Sequence, residues 1–177
     1  DFTPVCTTEF IAFAKANQQF AARNAQLIGL SIDSNPSHIA WLMGIEITTG
    51  IQVPFPVIAD RMGEIASMYG MLAPDISTQE TVRNVFILDP EQKIRAILTY
   101  PMSNGRNIDE ILRLLTALQT TDQHKISTPA NWQPGDPVIL PPPKTYQEAM
   151  IRREKAKNGT LNCQDWFLCF KSLPHSK

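Results

Sequence analysis

Asp1-Phe2-Thr3-Pro4-Val5-Cys6-Thr7-Thr8-Glu9 reads as the entrance to a helix with a cysteine set in its first turn. Thr3 offers a capping hydroxyl, and Pro4 suits the first helical position, where its missing N–H is not needed and its φ is already helical. Phe10, Phe13, Ala14, Phe20 and Ala21 then recur at helical spacing, which predicts a helix over 7–24. A cysteine so placed sits among unbonded N–H groups at the positive end of the helix dipole, an environment that favours thiolate over thiol. The thiolate is the nucleophile. The competing reading, a small buried hydrophobe, describes many single cysteines, and spacing does not decide between the two.

Outward from that helix, Gln26-Leu-Ile-Gly-Leu-Ser-Ile32 is a short apolar run that reads as a buried strand. Ser34-Asn35-Pro36 opens a second helix over roughly 36–47, with Ile39, Trp41, Leu42 and Ile45 at helical intervals. Pro54 to Ala59 is another strand, Asp60 a cap, and Gly63 to Tyr69 a short helix ended by Gly70. Thr81 to Leu88 and Lys93 to Tyr100 flank Asp89-Pro90-Glu91-Gln92, a tight-turn sequence that predicts a β-hairpin. Asn107 caps a helix with Asp109 and Glu110 in its first turn and Ile108, Ile111, Leu112, Leu115 and Leu118 along one stripe. Alternating β and α elements followed by a hairpin and a helix give the order of a thioredoxin-like fold, a three-layer α/β/α arrangement, without its first strands. Periodicity does not choose it over other α/β layouts. From Pro129 to Pro143, six of fifteen residues are proline, which predicts an extended connector. Thr145-x-x-Glu148 then fits a capping box for a helix through about Lys157, stopped by Asn158-Gly159. The expected division is a catalytic domain over 1–122 and a connector with a C-terminal extension over 123–177.

Composition removes several classes of function. The chain has 177 residues, 43% hydrophobic and 19% charged, enough for one ordinary domain with additions. Sixteen basic against seventeen acidic residues give a formal charge of -1 and a pI near 6.3, without the basic excess that phosphate-backbone binding demands, so no nucleic-acid partner is expected. No apolar run approaches the ~20 residues of a membrane span. The opening residues lack the basic and apolar regions of a signal peptide. A soluble, cytoplasmic protein is expected. Cys6, Cys163 and Cys169 are too few and scattered for a disulfide scaffold and read as catalytic or redox-active, their pairing left open. Arg83 shares a strand face with Val85 and Ile87 in an apolar run, where a guanidinium needs a partner or an exit to solvent.

The stretch from Asp1 to Glu9 resembles the peroxidatic-cysteine motif of peroxiredoxins, in the form used by the one-cysteine-like subfamily. The resemblance continues through Arg83 and its strand, Tyr100-Pro101, Gly105 to Arg113, Thr128-Pro129-Ala130-Asn131-Trp132 and Gly135-Asp136. It implies reduction of hydrogen peroxide and organic (alkyl) hydroperoxides by a cysteine thiolate on a thioredoxin-like fold, as antioxidant defence, with no metal or organic cofactor. Residue by residue, Cys6 resembles the peroxidatic cysteine, Thr3 the threonine whose hydroxyl lies beside the peroxide, and Arg83 the active-site arginine. Glu9, one turn after Cys6 on the same helix face, either orients that arginine or is a solvated carboxylate. Arg106 either adds to the active-site charge or simply precedes a helix cap. The family pattern has strands, a Pro and a His upstream of Asp1, and the chain starts without Met, so a missing N-terminal piece is expected.

Asn162-Cys163-Gln164-Asp165-Trp166-Phe167-Leu168-Cys169 places two thiols around an aromatic cluster. As a metal site, the two thiols with His175 supply at most three ligands, short of the four of a structural zinc site. Burial of Trp166 and Phe167 against a partner, with incidental cysteines, is another reading. The segment also resembles the C-terminal extension of archaeal and bacterial members of the subfamily. That resemblance implies that Cys6 becomes a sulfenic acid and that a C-terminal thiol, from the other subunit, condenses with it to a disulfide. Cys169 is the first choice for that resolving thiol, with Cys163 sharing or exchanging the role. A thioredoxin-like or glutaredoxin-like donor then restores the dithiol, and the resemblance implies homodimers and a decameric ring. The rival reading is a thioredoxin-fold interaction or holdase-like module without turnover.

Overall fold

The computed structural model describes residues 1–72 and 82–174, which form two compact units, Asp1–Leu112 and Arg113–Lys177. In the first unit, helix α1 spans Pro4–Ala21 and buries Glu9, Ala16 and Phe20. It starts three residues earlier than the apolar spacing predicts because Pro4 takes a first-turn position that apolar periodicity does not register. Strand β1 (Gly29–Ser31) pairs in parallel with β2 (Val57–Ala59), Gly29 opposite Val57. Helix α2 (Asn35–Thr49) lies between them in sequence, capped by Ser34, whose hydroxyl accepts from the Ser37 N–H at 3.4 Å, and ended by Gly50 in the left-handed region at φ 70.

Aromatic packing joins these elements. Phe10 of α1 stacks at 4.6 Å on Trp41 of α2 and at 5.4 Å on Phe55, centroid to centroid. Gly29 gives the ring room there, since a Cβ would meet the Phe10 ring edge at 3.0 Å, tighter than an ordinary contact. Helix α3 (Glu64–Met68) is capped from a distance: buried Asp60 accepts the Ala66 N–H at 2.7 Å.

Strands β3 (Arg83–Leu88) and β4 (Ile94–Tyr100) form the expected antiparallel hairpin, Arg83 opposite Tyr100. Thr81, the expected start of that run, lies outside the described residues. The Asp89 carboxylate accepts the Glu91 and Lys93 N–H groups at 3.0 Å each, and Gln92 takes the left-handed turn position at φ 63. Among the described residues, β1–β2 and β3–β4 are separate two-stranded pairs. Helix α4 (Ile108–His124) follows, with Asn107 accepting the Glu110 N–H at 3.0 Å.

The second unit has its own core of Ala117, Ile126, Trp132 and Val138, with Leu173 against it. The proline-rich segment departs from the extended connector that its composition predicts. It supplies two of those core side chains, and Val138–Ile139 forms an edge strand, β5, in a three-stranded sheet ordered β5–β7–β6. Prolines flank β5 instead of interrupting it, so the ladder loses no N–H where it needs one. The Trp132 indole donates to the Asp136 carbonyl at 3.1 Å, which closes the turn. Helix α5 (Tyr146–Lys157) opens on Thr145, whose hydroxyl accepts the Glu148 N–H at 3.1 Å while the Glu148 carboxylate accepts the Lys144 N–H at 2.7 Å, a near-reciprocal capping box. Strands β6 (Asn162–Asp165) and β7 (Leu168–Lys171) form the last hairpin.

Candidate active site

Cys6 is the third residue of α1, half-buried and a free thiol. Arg83, at the start of β3, donates from one guanidinium nitrogen to the Cys6 sulfur at 3.2 Å and to Glu9 Oε2 at 3.0 Å, while its Nε donates to the Met102 carbonyl at 2.9 Å. The apolar strand face thus keeps its arginine inside, 5% exposed, with its Nε and one terminal nitrogen bonded. Glu9 is 3% exposed and is the hub of the cluster. Its Oε1 accepts the Arg106 backbone N–H at 2.8 Å, and its Oε2 accepts the Arg106 guanidinium at 2.6 Å as well as Arg83. Arg106 also donates to the Asn84 carbonyl at 3.1 Å. Burial, and the like charge of Arg83, hold the Arg106 guanidinium below its usual range, opposed by Glu9 and Cys6. The geometry therefore makes Glu9 a buried ion-pair partner and draws Arg106 into the same charge cluster.

Thr3 behaves differently from a cap. Its backbone is extended at φ -96 and ψ 141, as at a helix N-cap, yet its side chain makes no capping bond, and Oγ1 is buried without a partner among the described residues. The hydroxyl bonds none of the first-turn N–H groups, which corrects the capping role expected for it. The carbonyl of Thr3 is fixed instead: the Thr7 hydroxyl donates to it at 2.7 Å, and the Trp41 indole donates to the Thr7 hydroxyl at 3.1 Å. The stretch before Thr3 is tied to α2 as well, through the Asp1 carboxylate and Nδ1 of buried His38 at 2.9 Å. Sequence reading passed over Thr7, His38 and the Met102 carbonyl. Thr7 and Trp41 carry the only available signal, a hydroxyl next to the cysteine and an indole that needs an acceptor when buried.

In the second unit, Cys163 and Cys169 face each other across the β6–β7 hairpin and form a disulfide. Cys169 is completely buried and Cys163 half-buried. Trp166 and Phe167 pack edge to face at the hairpin turn, 5.5 Å between centroids, and both are exposed. His175, the third ligand of the metal reading, lies outside the described residues, and the two sulfurs bond to each other. Among the described residues no helix is long and apolar enough to cross a membrane.

Residues 1–97 match the model of the AhpC/TSA family, and residues 117–158 match the C-terminal domain of 1-Cys peroxiredoxin. The chain is 54% identical over 173 residues to "Peroxiredoxin 2" of Caldanaerobacter subterraneus subsp. tengcongensis, covering 98% of this chain and 77% of that protein. Among solved structures, a yeast mitochondrial 1-Cys peroxiredoxin studied for its thiol resolving mechanism aligns with a TM-score of 0.81 and 42% identity, over 98% of this chain and 82% of the other. A cysteine-to-serine mutant of the peroxiredoxin 6 of Arenicola marina aligns with a TM-score of 0.84 and 35% identity, over 99% and 83%. These alignments carry the thioredoxin-like α/β fold expected from the order of elements.

Proposed function

The chain belongs to the peroxiredoxin family, enzymes that reduce peroxides with thiols as electron donors, and on that premise we propose that Cys6 is its peroxidatic nucleophile. The observation that carries the assignment is the 3.2 Å contact from Arg83 to the Cys6 sulfur, made by a guanidinium that Glu9 and the Met102 carbonyl hold in place. Two guanidiniums and one carboxylate leave the cluster at +1, and a thiolate at Cys6 brings it to neutrality. The Cys6 thiolate attacks the terminal oxygen of a hydroperoxide. An S–O bond forms, the O–O bond breaks, the attacked oxygen keeps its proton to give Cys6 sulfenic acid, and the leaving alkoxide or hydroxide takes a proton from water. Arg83 stabilises the negative charge shared along S–O–O, and we assign to the peroxide the Thr3 hydroxyl, which is buried without a partner among the described residues. Glu9 and Arg106 position Arg83.

A C-terminal thiol then displaces water from the sulfenic acid. We assign that attack to Cys169 and the second exchange to Cys163, so that oxidation ends on the Cys163–Cys169 disulfide and Cys6 returns as a thiol. A thioredoxin-like or glutaredoxin-like dithiol regenerates the pair. On this reading residues 1–122 do the peroxide chemistry and 123–177 the resolution, in a cytoplasmic homodimer able to build a decameric ring, and both hydrogen peroxide and alkyl hydroperoxides are substrates.

The test is peptide mass spectrometry of the fully reduced chain after one equivalent of hydrogen peroxide, with and without a sulfenic-acid trap. The expected products are trapped Cys6 in the first case and a Cys6 crosslink to Cys169, decaying to Cys163–Cys169, in the second. A Cys6 that stays reduced while the other two oxidise overturns the assignment.

A further inference from the structure

Phe2 takes the left-handed region at φ 56, a conformation that is costly for a bulky side chain and persists only where its surroundings impose it. Its own ring is 64% exposed and does not impose it. The constraint comes from the residues on either side. Both carboxylate oxygens of Asp1 lie 2.9 Å from Nδ1 of His38, and both side chains are buried. On the other side, the Thr3 carbonyl accepts the Thr7 N–H at 3.0 Å and the Thr7 hydroxyl at 2.7 Å, and that hydroxyl accepts the Trp41 indole N–H at 3.1 Å.

His38 and Trp41 stand three positions apart on α2, so one face of one helix carries both anchors. Nε2 of His38 lies 3.3 Å from the Ile58 carbonyl of β2, which ties the ring to the sheet as well. Thr3 sits between the two anchored ends, three residues before Cys6, with its hydroxyl buried and unpaired among the described residues. An unpaired buried hydroxyl is costly, and a loosened Thr3 can relieve that cost by capping the first turn, where its hydroxyl no longer serves a peroxide.

We propose that His38 is a positioning residue for peroxide reduction: through the Asp1 carboxylate it holds Phe2 in the left-handed region and so keeps the Thr3 hydroxyl uncapped and in place for the peroxide. The inference rests on the reading of Thr3 as the hydroxyl that meets the peroxide. His38 acts on the substrate side of the site alone. The groups that hold the Cys6 sulfur, Arg83 and behind it Glu9 and Arg106, are bonded from β3, α1 and the loop before α4, with no link through α2. Loss of His38 therefore slows attack on a peroxide and spares attack on an electrophile that needs no hydroxyl donor.

The test uses the full chain with Cys163–Cys169 kept as the disulfide, so that Cys6 is the free thiol. Two rates are measured at Cys6, first-turnover reduction of hydrogen peroxide and alkylation by iodoacetamide, and their ratio is the readout. His38→Ala and Asp1→Ala are each expected to lower the ratio about fivefold, with alkylation within about twofold of the unsubstituted chain. His38→Asn, whose amide N–H reaches where Nδ1 stands, is expected to bring the ratio back to within about twofold. Thr3→Val is expected to lower the ratio roughly tenfold, and adding His38→Ala to it to change the ratio less than about twofold. Peroxide and alkylation rates that fall together in His38→Ala and Asp1→Ala make the link merely structural and overturn the proposal. An unchanged ratio in either, a His38→Asn no better than His38→Ala, or a full fivefold loss on top of Thr3→Val also overturns it. Failure of the Thr3 reading shows separately, as a Thr3→Val chain with the unsubstituted ratio, and takes the proposal with it.

Discussion

Cys6 takes its partners from far along the chain: Arg83 is 77 positions away, and the Glu9 that holds Arg83 also binds Arg106, 97 positions from itself. Cys163 and Cys169 sit six positions apart on one hairpin. The first arrangement exists only when α1, β3 and the loop before α4 come together, and it buries the Arg83 guanidinium and the Glu9 carboxylate and half-buries Arg106, charges that are costly unless paired. The second needs a local turn and one ladder. The comparison suggests that the peroxide site stands or falls with the fold of the first unit, and that the pair operates on local structure. Measured as the first-turnover rate of peroxide reduction at Cys6, substitutions at Arg83, Glu9, Thr7 and the cysteine pair test the difference.

Arg83→Ala is expected to have the largest effect, slowing the first turnover by about 10² or more through loss of a preorganised charged donor at the sulfur. Arg83→Lys is expected to recover little, because a point charge cannot serve the sulfur, Glu9 and the Met102 carbonyl together. Stopped-flow kinetics with hydrogen peroxide reads both, and an unchanged rate for the alanine variant removes Arg83 from the chemistry.

Glu9→Gln comes next. It leaves buried Arg83 and half-buried Arg106 without their shared counter-charge, so a stability loss of about 3 kcal/mol is expected, with a roughly tenfold slower first turnover as Arg83 loses its anchor. Urea unfolding beside the kinetics separates the two. A rate loss without a stability loss would place Glu9 in contact with the peroxide instead of behind Arg83.

How far these residues were legible follows the same contrast. Local signals gave α2, the β3–β4 hairpin and α5, because Ser34, Asp89 and Thr145 satisfy N–H groups within four positions of themselves. Helix-entrance physics singled out Cys6 while leaving a nucleophile and a small buried hydrophobe both open, and Arg83 was marked as needing a partner by its apolar strand. Glu9 and Arg106 kept two readings each, because what decides them is contact across 74 to 97 positions, to which periodicity is blind. Thr3 misled: a threonine before a proline is an ordinary cap signal, and only the fold shows its hydroxyl buried and free. The proline-rich segment misled in the same way, since composition excludes a helix without saying that Trp132 and Val138 enter a core.

Thr7→Val is a smaller perturbation of the same region. It removes the link from the Trp41 indole through the Thr7 hydroxyl to the Thr3 carbonyl, and leaves the indole without its acceptor. About 1 kcal/mol of stability is expected to go, together with a two- to threefold loss in first-turnover rate as the Thr3 stretch loosens. Trp41→Phe in the same background should restore part of the stability by removing the unpaired donor, without restoring the rate.

Cys163→Ser and Cys169→Ser are expected to do least to this rate, each leaving the first turnover within about twofold of the unsubstituted chain. Neither residue belongs to the unit that assembles Arg83, Glu9 and Arg106 around Cys6, and the hairpin that carries them is defined by its own ladder. Their effect should appear after the first turnover. With a dithiol donor, Cys169→Ser leaves Cys6 as a persistent sulfenic acid that excess peroxide carries on to sulfinic acid, so turnover decays with each cycle. Cys163→Ser instead stops at the mixed disulfide between Cys6 and Cys169, which protects Cys6 from overoxidation but slows its release. A slower first turnover in either variant would mean that the hairpin helps to build the peroxide site, and the contrast between a long-range site and a local one would fail at that point.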